Sequence, residues 1–434
     1  MAIDEEVFPI VARNNSQFKR RFALSNSTAV RAGLREGTHV AGVYPQIRDS
    51  LYEVKTHNLA ASLASLQLPV PSVQKLYHER IVEKQKMLDM VRAAASMIES
   101  PSDDVYETFT ALAESLFGRP TKAMFQPIYD SLGRLIRSGD VTHLMPDERS
   151  LLESVFARVP VSTPFADDCL QEFFPITSDP TEPVVVSAVA VKALFDTWLS
   201  DYGLQHWTTS IRKRSRGFSV NTSKRLVLIP SEKFLKNRKF DRALTEKKLR
   251  AIFAHEVLTH VVRYEAGIAS PCRLLGAGLP GYLGAEEGIA SYREHQIMEI
   301  PGLAGIRSYL VIGLAYGLDW NNQKRSFAAV YKIVMAVLRC VLHCDEQYAR
   351  MKAFALCSRS MLLIDYRLPL VVPHDLLYRT GHDAVRRMLE TISVTDDVLN
   401  IGKYDPMNHR HIGMLVDLNI IPANHALVQY SQSQ

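Results

Sequence analysis

Two histidines bracket a glutamate in Ala254-His255-Glu256-Val257-Leu258-Thr259-His260, and an acidic pair, Glu286-Glu287, follows downstream. Two neutral imidazoles and one carboxylate can hold a divalent zinc ion and leave a fourth position for water. A second carboxylate beside the first histidine can take the proton from that water. These residue types point to hydrolysis on a bound metal, with His255 and His260 as ligands, one of the downstream glutamates as the third, and Glu256 as the base.

The spacing qualifies this. In the commoner zinc-hydrolase helix the histidines lie four apart and share a face; here they are five apart. At roughly 100° per residue, a regular α-helix turns about 140° beyond the starting face over five residues and splays the two rings. Three readings remain open from the residues alone: a π-type widening of the helix, a frequent feature of functional sites; an end or bend at His260; or a buried helix holding two satisfied histidines and no metal.

The elements that must position these groups are partly legible. Thr245 is a good N-cap, and Leu249, Ile252, Phe253 and Val257 give one apolar face to a helix expected from 246 to about 265, ending before Gly267. Residues 273 to 285 carry Gly276, Gly278, Gly281 and Gly284 without the Lys-Ser or Lys-Thr of a phosphate loop, so they read as a bent loop that delivers the acidic pair. Helical pattern resumes from 287 to 298. Residues 217 to 229 read as a hairpin, with Asn221-Thr222-Ser223 at the turn. Such a strand beside the metal helix can offer backbone hydrogen bonds to an extended peptide.

His-Glu-x-x-x-His followed by Glu286-Glu287-Gly288-Ile289-Ala290 resembles the tyrosine carboxypeptidases that act on microtubule tails, and their bacterial relatives named for a Gln-Glu-Gly-Leu-Ala motif. Glu286 stands in the Gln place and Ile289 in the Leu place. Gly278-Leu279-Pro280-Gly281-Tyr282 is similar to the bacterial members. Ser115-Leu116-Phe117-Gly118-Arg119-Pro120 and Asp375-Leu376-Leu377-Tyr378-Arg379-Thr380-Gly381 resemble two looser family segments, so the likeness runs over residues 75 to 405. Relatives often have Lys before this Asp; His374 replaces it. The resemblance places the third ligand on Glu287 and leaves Glu286 a neighbour, facing solvent or supporting the site. It also implies a C-terminal aromatic residue as the substrate's leaving group.

A carboxypeptidase needs a cation for the substrate's terminal carboxylate, which a planar guanidinium binds in a bidentate way. Arg263, Arg216 and Arg359 are the candidates. The competing reading of Arg263, close to one turn after His260, is a structural ion pair. Tyr378 can donate a hydrogen bond to a developing oxyanion; its competing reading is a core tyrosine.

The rest of the chain frames this region. Residues 1 to 45 read as an irregular leader. Residues 46 to 183 read as a helical region, with an N-cap turn at Pro101-Ser102-Asp103-Asp104, closed by a Pro-rich linker over 159 to 183. The catalytic region is expected over 184 to 421. It includes helices from Phe327 to Leu342 and Gln347 to Leu363, and a short extended stretch from Arg367 to Val372. His409 and His411 read as surface residues and 422 to 434 as a disordered tail.

The 434 residues are 47% hydrophobic and 22% charged, ordinary for a globular protein. Five cysteines in so long a chain do not make a disulfide scaffold. Cys340 and Cys344 read as buried thiols on an apolar helix. The acidic start and the lack of a membrane-spanning stretch fit a cytoplasmic protein; delivery by specialised secretion leaves no mark in the sequence. Residues 212 to 250 hold fourteen Lys or Arg against Glu232, Asp241 and Glu246, a net of +11, whereas the whole chain carries +5. Such a stretch attracts polyanions, an acidic protein tail above all, or is simply a solvated face. No interleaved aromatics argue for nucleic acid.

The sequence therefore leads to a predominantly helical α+β, zincin-like metallopeptidase with a small sheet beside the HExxxH helix and one Zn²⁺ per chain. The expected activity is removal of a C-terminal Tyr or Phe from a peptide or protein tail. The rivals are a non-catalytic zinc-binding regulator, an endopeptidase, and a maturation peptidase for one dedicated peptide.

Overall fold

The computed structural model describes residues 4, 8, 25, 27–36, 43–44, 61, 64, 66–138, 141–156, 185, 187–213, 217–236, 244–299, 305–363 and 369–433. Within them the chain is predominantly helical. The N-terminal helices are α1 (Ser27–Glu36), α2 (Pro71–Glu99), α3 (Asp103–Phe117), α4 (Lys122–Arg137) and α5 (Pro146–Phe156). Pro71 starts α2, where its missing N–H costs nothing. Ser102 caps α3 by accepting from the Val105 N–H at 3.3 Å, as its sequence predicts.

The part that carries the candidate site begins with α6 (Ala188–Asp201) and three strands, β1 (Thr208–Arg212), β2 (Ser219–Asn221) and β3 (Leu226–Pro230). β2 and β3 form the expected antiparallel pair, with Val220 opposite Val227. The sequence reading missed β1, which lies parallel to β3 on its other side, with Thr209 opposite Val227. The sheet order β1-β3-β2 leaves the outer edge of β2 without a strand partner among the described residues.

After the short α7 (Glu232–Lys236) comes one continuous helix, α8. It is α-helical over Glu246–Phe253, π-helical over Ala254–Val261, and α-helical again over Val262–Ala269. Thr245 caps it, accepting from the Lys248 N–H at 3.2 Å. α8 runs past Gly267 rather than ending before it. Gly267 lies against the backbone of Leu275 and Gly276, where a Cβ has no room, so this glycine serves close packing and not termination.

Then follow α9 (Leu274–Ala277), α10 (Leu283–Met298), α11 (Ile306–Tyr316), α12 (Phe327–Leu342) and α13 (Glu346–Ser360). α10 starts at Leu283, a turn before the expected onset, so Glu287 sits on its second turn. The antiparallel pair β4 (Met361–Leu362) and β5 (Leu370–Val371) precedes α14 (Leu376–Thr391), α15 (Asp396–Leu399), α16 (His409–Asp417) and α17 (Ala426–Gln432). Cys344 lies beyond the end of α12, not on it as expected; it and Cys340 are both buried free thiols.

Two apolar clusters meet at the candidate site. Phe195, Val227, Ile229, Leu249, Phe253 and Val257 join the sheet to α6 and α8. Leu76, Leu275, Ile289, Val385, Met388 and Leu415 join α2, α9, α10, α14 and α16. No helix among the described residues is long and apolar enough to cross a membrane.

Three expectations about the ends are corrected. The leader is not irregular throughout: α1 contributes buried Val30 to a core cluster. Asp4 is buried, accepting from the Tyr77 hydroxyl at 2.7 Å and from the Arg273 and Leu274 N–H groups at 2.9 Å each. The expected disordered tail contains α17, which buries Leu427. His411 is not a surface residue: it is 0% exposed, and its Nδ1 accepts from the Asp405 N–H at 3.0 Å. The proline-rich linker lies outside the described residues.

Burial first, with the nearby Arg410 charge, pushes the His411 imidazole down to about 3. The unfolded chain takes up this proton from about pH 6.5 downward, the folded chain only near pH 3, so the unfolded state binds more protons in between. Stability is full above pH 6.5 and falls as pH drops through that window. The difference between wild type and His411→Asn should therefore shrink by about 2–3 kcal/mol between pH 7 and pH 4.5, read from urea midpoints.

Candidate metal centre

His255 and His260 converge because α8 is π-helical between them. Turns closed by i→i+5 hydrogen bonds stack residues five apart. The Val262 N–H reaches the Val257 carbonyl, and the Thr259 hydroxyl donates to the Ala254 carbonyl at 3.1 Å, both five-residue steps. The two rings stand 5.3 Å apart at 76°. Of the three readings of the spacing, the structure adopts the widened helix.

Both Nε2 atoms point to one carboxylate oxygen of Glu287, which lies 3.7 Å from His255 and 3.8 Å from His260. His255, His260 and Glu287 bring three donor atoms together with no two more than 4.8 Å apart. Tetrahedral zinc with bonds of about 2.0–2.2 Å would set its donors roughly 3.3 Å apart. The residue types suit zinc, and the two His–Glu287 distances lie about half an ångström beyond that spacing.

The far side of each ring is also fixed. His260 Nδ1 lies 2.9 Å from Glu286 Oε1, and His255 Nδ1 lies 3.2 Å from Glu294 Oε2. A carboxylate on Nδ1 puts the proton there and leaves Nε2 as the donor toward a metal, the usual arrangement around bound metals. Both carboxylates are themselves neutralised. Glu286 meets Arg263 Nη1 at 2.5 Å and Lys403 Nζ at 3.2 Å, and Glu294 pairs with Lys248. Burial alone would raise both carboxyls, but Lys403 and Arg263 hold Glu286, and Lys248 and His255 hold Glu294, well below the usual range. Burial would also lower the His255 imidazole; the Glu294 hydrogen bond and the charges of Glu294, Glu256 and Glu287 overcome it and lift it to about 9. A metal ion on Nε2 has to displace that proton.

Two readings are thereby decided. Glu286 does not face solvent: it is 1% exposed and supports His260. Arg263 cannot receive a substrate. It is 0% exposed, and its guanidinium is taken up by Glu286 and by the Gly402 and Tyr404 carbonyls, at 2.8 and 2.7 Å. Arg216 lies outside the described residues. Arg359 lies near the centre. Its side chain is half exposed, it pairs with Asp375, its guanidinium stands 5.6 Å from the Tyr378 ring centre, and it feels the Glu287 charge. Tyr378 feels the charges of Glu287, Arg359 and Asp375. Burial first, then the charge of Glu287, raises its hydroxyl well above 10, so it stays a donor. The charge of Glu256 is felt by both His255 and Tyr378, which places it beside the same centre.

Part of the basic run, including Arg214, Arg216, Arg238, Lys239 and Arg242, lies outside the described residues. Within the rest Arg225 pairs with Glu265, Lys247 with Glu299 and Arg250 with Glu246, besides Lys248 with Glu294. Arg212, Lys213, Lys224 and Lys233 are exposed.

The sequence reading missed Glu294, Lys248 and Lys403. One signal was available for Glu294: it lies seven residues after Glu287, two turns on and on the same helix face. The lysines are joined to the site only by the fold. Comparison with protein-family models, with curated proteins and with solved structures finds no match to this chain, so what it does has to be inferred from the centre itself.

Proposed function

We propose that this chain is a zinc-dependent metallocarboxypeptidase of zincin-like layout that removes a C-terminal residue, Tyr or Phe by the family resemblance, from a peptide or protein tail. The observation that carries this reading is the convergence of His255, His260 and Glu287, each imidazole backed by its own carboxylate.

Zinc in this position supplies a Lewis acid and lowers the pKa of a bound water toward about 7. Glu256 accepts the proton of the attacking water and passes it to the leaving amine. Tyr378, kept protonated, donates to the oxyanion. Arg359 pairs with the substrate's terminal carboxylate through the part of its guanidinium that Asp375 does not occupy. β2 packs against the π-helical turn and has no second strand partner among the described residues, which suits an extended peptide lying beside the candidate centre. The exposed cations at the ends of this sheet favour an acidic tail.

The test is mass spectrometry of acidic peptides ending in Tyr, Phe, Ala or a Tyr amide after incubation with zinc-loaded protein. Loss of one terminal residue from the free acids and none from the amide is the expected result. Internal cleavage, or cleavage of the amide, replaces the exopeptidase with an endopeptidase. A protein that takes up no zinc refutes the central claim. Arg359→Met should lower kcat/KM for free-acid peptides by about 30–100-fold, chiefly through KM, the loss of one charge-assisted pair. Arg359→Lys, which keeps a cation beside Asp375, separates recognition from folding.

A further inference from the structure

The π-helical turn is the feature on which the centre depends, and one side chain reaches into it from a neighbouring helix. Arg293, on α10, donates from Nη1 to the Leu258 carbonyl at 2.7 Å and to the Thr259 hydroxyl at 3.2 Å. Its Nη2 donates to Asp396 Oδ1 at 2.7 Å and Asn400 Oδ1 at 3.1 Å, on and just after α15. The guanidinium is largely buried, with 12% of its side chain exposed.

A π turn is disfavoured against an α turn of the same residues, and it persists where the surroundings fix it. Leu258 and Thr259 sit between the two ligand histidines. A hydrogen bond from outside to the Leu258 carbonyl favours the widened path, and Thr259, whose hydroxyl already donates five residues back, is held by the same cation. The planar guanidinium fork can do this because one nitrogen serves α8 while the other is locked by two acceptors, so the donor is aimed before the turn forms. Lysine cannot span both sets.

We propose that Arg293 is a positioning residue for the metal centre: it holds the π turn open and thereby sets the distance between His255 and His260. This inference rests on the zinc reading for its function, but its structural content stands apart from it. Among the described residues Arg293 makes no hydrogen bond to either ligand ring, so its loss acts through the backbone that it holds, above all the turn between them.

The experiment compares wild type, Arg293→Met and Arg293→Lys in two arms. In the metal-free proteins, amide hydrogen exchange over residues 257–263 should speed up by about tenfold or more in Arg293→Met, with exchange in α6 and α12 unchanged. Exchange at the wild-type rate in that segment overturns the proposal, whether or not the protein binds zinc. In the second arm, zinc affinity is measured against a chromophoric chelator, and the visible absorption of the cobalt-substituted protein reports ligand geometry. Arg293→Met should bind zinc about 10–100-fold more weakly, with an altered cobalt spectrum. Arg293→Lys should fall between. Unchanged affinity and spectrum would reduce Arg293 to a tether between α10 and α15. Absence of zinc binding in the wild type would refute the proposed function and leave the first arm to decide the role of Arg293. Should Arg293→Met not fold, Arg293→Lys alone decides both arms.

Discussion

Glu256→Gln should bind zinc as the wild type does and lose turnover by about a thousandfold, within the range that a general base contributes. The amide matches the carboxylate in size but cannot accept a proton. Metal binding survives for a reason specific to this centre. Both Nδ1 atoms are held by Glu294 and Glu286, and the third ligand comes from α10, so Glu256 is not needed to assemble the donor set. Zinc content by elemental analysis and peptide turnover by mass spectrometry check the two halves separately. Retention of activity within tenfold would remove Glu256 from the proton path. Loss of zinc would make it a structural member of the centre.

The second large effect rests on backbone contact rather than on charge. α10 and α14 cross with backbone against backbone at Gly284, Gly288 and Gly381. A Cβ on Gly381 would land on the Gly284 carbonyl, and one on Gly288 would land on the backbone of Gly381. Overpacking by a methyl group against yielding side chains costs about 1–3 kcal/mol. Here the neighbour is main chain, so Gly381→Ala should cost at least about 3 kcal/mol in a urea titration. It should also weaken zinc binding, because the displaced helix carries Glu286, Glu287 and Glu294 together. Gly413 is the control. It lies within α16 with open space around it, so Gly413→Ala should stabilise by about 0.5–1 kcal/mol. Equal small effects at both positions would refute the close crossing.

The site was legible in the sequence to the extent that it is local. His255, Glu256 and His260 declare themselves by type and order, Glu287 was chosen over Glu286 by the family resemblance, and the widened helix that the structure has was one of three readings of the five-residue spacing. The strand pair β2–β3 and the cap at Thr245 followed from local chemistry. What failed were judgements of environment. Arg263, left open between a substrate role and a structural ion pair, is the ion pair, consumed by a carboxylate and two carbonyls, and the carbonyls come from residues 402 and 404, beyond any local window. His411 looked exposed because its neighbours in sequence are polar, yet it packs where the 278–282 bend passes. β1 escaped notice because its partner lies across an intervening strand and turn. The same distance hid Lys403 and Lys248, which offset the burial of the carboxylates behind the ligands only in the folded protein.

The anchoring of Asp4 also bears on the order in which the molecule can be completed. During synthesis the chain leaves the ribosome from its N-terminal side, and domains begin to fold as they emerge. Asp4 emerges well ahead of its partners: the N–H groups that satisfy it belong to Arg273 and Leu274, 269 and 270 residues later. Until then a carboxylate destined for burial stays in water, and the turn ahead of the helix that carries Glu287 lacks its clamp. The entropy of closing so long a loop is met only once the surrounding helices exist to hold both ends. Full assembly of the half that holds the candidate centre is thus a late, cooperative event, and a substitution at Asp4 that removes this docking would slow it without touching His255, His260 or Glu287.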